Sequence, residues 1–92
     1  MTSSEIRDIR ERLGLTQHEF AQLLDVGRTT VVNWERGRTN PPELKKDMIR
    51  RLGAEAEKRR NEEWVRALLG LAAAGAFGSL LGKLFGPNDQ DE

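Results

Sequence analysis

The chain has no cysteine, no tyrosine and a single histidine in 92 residues. Without thiols there is neither a disulfide framework nor a thiolate metal site, and one imidazole cannot complete a zinc shell. Net charge is missing too: fifteen Lys+Arg balance fifteen Asp+Glu. That removes a globally basic coat for nucleic acid but leaves local patches open. Met1-Thr2-Ser3-Ser4-Glu5 carries neither the basic nor the apolar stretch of a signal peptide. The carboxylate pairs Asp8/Glu11, Glu55/Glu57 and Glu62/Glu63 have ordinary helix-surface spacing. With no nucleophile beside them and no glycine-rich phosphate loop, the expectation is no enzyme activity and no cofactor. A chain this short holds one small domain and an appendage.

What is present is unevenly spread. Single glycines punctuate the first part at Gly14, Gly27, Gly37 and Gly53, whereas Gly70, Gly75, Gly78, Gly82 and Gly86 crowd the second. No ionisable side chain occurs from Ala67 to Gly82, while the stretch just before it is dense in charge. These shifts divide the chain into a domain at 1–52, a charged helical connector at 53–66, an apolar helix at 67–86 and an acidic frayed tail at 87–92.

In the first region apolar residues recur at helical spacing and no stretch alternates as a strand would. Thr2 with Glu5 and Thr16 with Glu19 fit the reciprocal capping box that starts a helix. Asn40-Pro41-Pro42-Glu43 offers a cap followed by a proline suited to the first turn. Gly14, Gly37 and Gly53 can take the left-handed conformation that ends one. The expectation is an all-α fold with helices at about 3–13, 16–24, 28–36 and 41–52.

Only Asp25-Val26-Gly27 separates the second helix from the third. So short a link makes two helices cross steeply, the helix-turn-helix arrangement. Small Ala21, a residue tolerant of positive φ at Asp25, and apolar Phe20, Leu24, Val26, Val31 and Trp34 together meet its packing demands. The stretch from about Ile6 to Leu52 resembles the Cro/cI phage-repressor family of helix-turn-helix proteins. The resemblance rests on Leu13-Gly14-Leu15-Thr16-Gln17, on Phe20-Ala21-Gln22-Leu23-Leu24, and on Val26 through Asn33-Trp34-Glu35-Arg36-Gly37 with Pro41-Pro42. Asp25 departs from the glycine usual in that family.

The resemblance implies a third helix lying in the major groove of duplex DNA. Its outward positions are then Arg28, Thr29, Val32 and Asn33. Arg28 suits the paired acceptors of guanine, Asn33 the donor and acceptor of adenine, and Val32 with the Thr29 methyl suits thymine. Gln17, at a helix start, matches the family's phosphate-contacting glutamine, and Arg36, Arg38, Thr39 and Asn40 match its backbone-contacting loop. Glu35 matches the partner of a structural ion pair with Arg10. Residues 26–40 carry a net charge of +2 and residues 16–25 carry −2, so the positive charge falls where phosphates would be met. Trp34 is read as core and His18 as a solvent-facing helix residue.

Beyond the domain, Gly70, Ala74, Gly78, Gly82 and Gly86 recur every four residues, which on a helix makes one stripe without bulky side chains. Another helix can approach such a stripe closely. Glycine is a poor helix former in water, so the segment needs support. Several supports are open: folding against its own domain or against a second copy as a homodimer, a partner protein as in antitoxin-type autoregulators, a membrane span, or an amphipathic helix on a membrane surface. As a helix, 67–85 would reach ~28 Å, close to the hydrocarbon thickness. Lys58, Arg59, Arg60 and Arg66 before it would leave the amino-terminal domain in the cytoplasm. The expectation is a cytoplasmic, nucleoid-associated regulator binding double-stranded DNA, with an inner-membrane tether as the alternative.

Overall fold

The computed structural model describes residues 1–59 and 61–75. These form five α-helices: α1 (Ser3–Arg12), α2 (Gln17–Leu24), α3 (Arg28–Glu35), α4 (Glu43–Lys58) and α5 (Glu63–Ala73). There is no strand among the described residues. Both capping boxes form. The Thr2 amide donates to Glu5 Oε1 at 2.7 Å and the Glu5 amide to Thr2 Oγ1 at 3.1 Å. At α2 the Thr16 amide donates to Glu19 Oε1 at 3.0 Å and the Glu19 amide to Thr16 Oγ1 at 3.1 Å. Each pair satisfies amides that the first helical turn leaves without a partner.

The link between α2 and α3 turns at Asp25, whose φ of 58° and ψ of 48° are left-handed. The Val26 amide reaches back to the Ala21 carbonyl at 3.0 Å and the Asp25 amide to the Gln22 carbonyl at 3.2 Å, which closes the end of α2. An aspartate stands this conformation better than most residues with a Cβ, because its short polar side chain suits left-handed backbone.

Two expected boundaries are corrected. Asn40 does not cap α4; Pro42 holds the cap position, with no side-chain cap bond, and the helix begins at Glu43. Gly53 does not end α4, which continues to Lys58. The reason lies in packing: Gly53 is buried, and a Cβ there would lie 3.1 Å from both Cδ1 and Cγ1 of Ile9. The glycine lets α1 and α4 come close rather than stopping the chain.

The core joins Ile6 and Leu13, then Leu15, then Phe20, Ala21, Leu23 and Leu24, with Val31 and Trp34, Ile49 and Leu52, and finally Val65 and Leu68. Val26 only half enters it. The last two core residues belong to α5, which packs on α2. Asn61 Oδ1 accepts from the Glu63 amide at 3.0 Å at the start of α5. Arg66 forks from its side to Glu19 Oε2 at 2.8 Å and to the Gly14 carbonyl at 3.2 Å. Arg59 lies 5.4 Å over the ring of Trp64 and pairs with Glu55, as the spacing of four predicts.

An unbroken helix over 67–86 is not what forms. α5 ends at Ala73, and Gly75 has a left-handed φ of 81°. Gly70 and Ala74 are exposed, and nothing lies within 4 Å of a Cβ built on Gly70. The remaining stripe positions Gly78, Gly82 and Gly86, the tail at 87–92 and most of the 67–85 span lie outside the described residues. Among the described residues no helix is long and apolar enough to cross a membrane.

Glu5 and Glu19 tie the fold to pH. The Glu19 carboxyl is held below its ordinary value of 4.5 by the bond from the Thr16 amide, and then by Arg66. Glu5 is likewise held down, chiefly by the Thr2 amide. A carboxyl depressed in the folded state stabilises the fold above the unfolded value, and the benefit is lost as pH falls through the folded value. The acid limb of Tm against pH below 4.5 is therefore expected to be shallower for Glu19→Gln than for the wild type. Superimposable limbs would contradict this role.

Candidate nucleic-acid interface

α3 starts after Gly27, which has an extended backbone and no side chain to cap with. With Val31, Trp34 and Glu35 buried, the helix turns its other face outward. Arg28 and Thr29 are exposed and Val32 and Asn33 half-exposed. They share one face because residues four apart sit one turn above each other. Trp34, at 3% exposure, is core, and His18 is exposed. After α3 the Arg38 amide donates to the Asn33 carbonyl at 2.9 Å, and Gly37 takes a φ of 73°. The turn that results leaves Arg36, Arg38, Thr39 and Asn40 all exposed beside the end of α3.

Under this surface lies a polar hub. Glu35, with only 1% of its side chain exposed, pairs with Arg10 through two bonds: Arg10 Nε to Oε2 at 2.7 Å and Arg10 Nη2 to Oε1 at 3.1 Å. This is the ion pair the resemblance implied. Arg10 Nη1 donates to the Leu15 carbonyl at 2.9 Å. The hub thus joins α1, the turn before α2 and the end of α3. A buried pair of this kind contributes little net stability, since desolvation offsets the attraction, but losing one partner strands the other.

Two members of the hub were not foreseen. Gln17, the expected phosphate contact, is half-buried and donates from Nε2 to Glu35 Oε1 at 3.1 Å. Arg7 lies with its Nε 3.8 Å from Glu35 Oε1 and its Nη2 3.5 Å from the Glu35 carbonyl, while half of its side chain stays exposed. Its spacing of three from Arg10 puts both on one face of α1, and that was the available signal. Arg7, Arg36 and Arg38 therefore present positive charge at the carboxy-terminal end of α3. Among the described residues no group of three or more His, Cys, Asp or Glu side chains gathers as a metal site requires.

Residues 6–45 match the family model described as helix-turn-helix. No curated protein and no solved structure matches the chain.

Proposed function

With residues 6–45 a helix-turn-helix of the Cro/cI type, a DNA-binding domain of transcription regulators, we propose that the protein reads a specific sequence in double-stranded DNA and acts as a repressor. The observation that carries this reading is the outward face of α3. There a guanidinium, a hydroxyl with its methyl, a valine and a carboxamide stand together on a helix whose opposite face is anchored in the core. Arg28 addresses guanine, Asn33 adenine, and Val32 with Thr29 a thymine methyl. Arg36, Arg38, Thr39 and Asn40 hold the flanking phosphates, and Gln17 contacts another from the start of α2. These contacts set position while the four side chains on α3 set sequence.

The size of α3 supports a homodimer in this reading. The 8 residues of α3 span ~12 Å, and with base pairs ~3.4 Å apart one copy reads only about three or four of them. Two copies on a near-palindromic operator, with half-sites ~10 base pairs apart, double the information. The carboxy-terminal region beyond the core is the proposed seat of the dimer, with Gly70 and Ala74 facing outward.

Selection from a random duplex pool tests the function. Enrichment of a two-fold pattern, with affinity falling steeply as salt rises because neutralised phosphates release counterions, is the expected result. A pool that stays random after repeated rounds would remove the sequence-reading claim.

A further inference from the structure

Glu35 is the one buried charged residue among the described residues, and its carboxylate does more than neutralise Arg10. Oε2 receives Arg10 Nε, while Oε1 receives both Arg10 Nη2 and Gln17 Nε2, each of these two at 3.1 Å. A carboxylate offers only acceptors, so the Gln17 amide has one permitted orientation: nitrogen toward Glu35, oxygen away. One Nε2 hydrogen is thereby committed and the other is left to point elsewhere.

The carboxylate is itself held at both oxygens. Arg10 grips it by two nitrogens and spends its third on the Leu15 carbonyl. Glu35 is also the last residue of α3, the helix that carries Arg28 and Asn33. A bonded path therefore runs from that helix, through Glu35, to the amide at the start of α2. Resting on the proposed role of Gln17 as a phosphate ligand, we propose that Glu35 is a positioning residue for DNA binding. It fixes the Gln17 amide before DNA arrives, with the second Nε2 hydrogen presented to a phosphate oxygen at a set register from the bases read by α3. Ordering the side chain in the free protein removes that cost from the binding step. Arg10, with the Arg7 Nε 3.8 Å from Oε1, supplies the opposite charge, so the bond to Gln17 adds orientation rather than charge balance.

A double-mutant cycle on the full chain separates this from a merely structural role. Affinity for a labelled duplex of mixed sequence is measured by fluorescence anisotropy for wild type, Gln17→Ala, Glu35→Gln and the double variant. Gln17→Ala is expected to weaken binding several-fold with an unchanged salt slope, because a neutral amide displaces no counterion. Glu35→Gln also removes a negative charge, and that part of its effect is the same in both backgrounds. The factors by which it changes affinity with and without Gln17 are expected to differ about fivefold or more. Equal factors overturn the positioning role, and so does a Gln17→Ala variant that binds as wild type. The base-reading claim fails on another measurement, a pool that enriches nothing, so the two failures are told apart.

Because Glu35→Gln can fail to fold, nuclear magnetic resonance of the unaltered protein gives a second reading. The Gln17 side-chain amide protons, assigned by their loss in Gln17→Ala, should be resolved from those of exposed Gln22 and exchange more slowly. Coincidence with Gln22 in both shift and exchange would overturn the proposal.

Discussion

Asn33→Ala is expected to cost about 1–3 kcal/mol of affinity for the enriched duplex while barely changing affinity for scrambled DNA. A carboxamide that donates to and accepts from one adenine earns nothing from other sequences, so its removal lowers the ratio of specific to non-specific binding. The half-exposed position of Asn33 on the outward face of α3 makes the substitution safe for the core. Arg28→Ala provides the contrast. Arg28 carries charge as well as a donor fork, so its loss should lower both affinities and also flatten the salt dependence, because one cation fewer then enters the field of the phosphates. Titration of both duplexes at several salt concentrations distinguishes the two. Equal losses for Asn33→Ala on both duplexes would mean that its side chain reads no base.

Leu68→Ala should destabilise the protein by about 2–5 kcal/mol, the range for deleting most of a buried leucine. Leu68 is 2% exposed, and with Val65 it completes the core from α5. For a small domain whose whole stability is about 5–10 kcal/mol, that is a large share. Urea unfolding followed by circular dichroism measures it. A change within about 0.5 kcal/mol, as for surface positions, would mean that α5 is an appendage after all. The same variant should lose DNA affinity beyond the unfolded fraction only so far as it loosens the proposed dimer seat at Gly70, because no residue of α5 belongs to the proposed DNA-contacting surface.

What the sequence disclosed were features with fixed local spacing. Threonine three residues before glutamate, a tolerant residue at the bend and glycines at helix ends each act within one turn of chain, and Thr2, Thr16, Asp25, Gly14 and Gly37 took the expected conformations. The Arg10–Glu35 pair was reachable only through the family resemblance, since nothing local links residues so far apart. Gly53 misled for a physical reason: a helix-ending glycine and a glycine that admits a neighbouring helix look the same until Ile9 is seen against it. Asn40 misled because two prolines follow it and either can open a helix. Packing of the apolar segment on its own domain was among the open supports, but no local spacing singles out α2 as its partner, some forty residues earlier. The Gln17 bond to Glu35 was invisible because an exposed phosphate ligand and a half-buried hub member call for the same residue type.

The fork of Arg66 onto Glu19 and the Gly14 carbonyl has a kinetic consequence. It fastens α5 to the very turn that launches α2, and Leu68 from the same helix joins the buried core. Because α5 packs on α2 and shares one buried core with it, local opening there should be as rare as complete unfolding. Backbone amides of Val65 and Leu68 would then exchange with deuterium at the pace of those in the middle of α2, and the five helices would come apart as one cooperative unit.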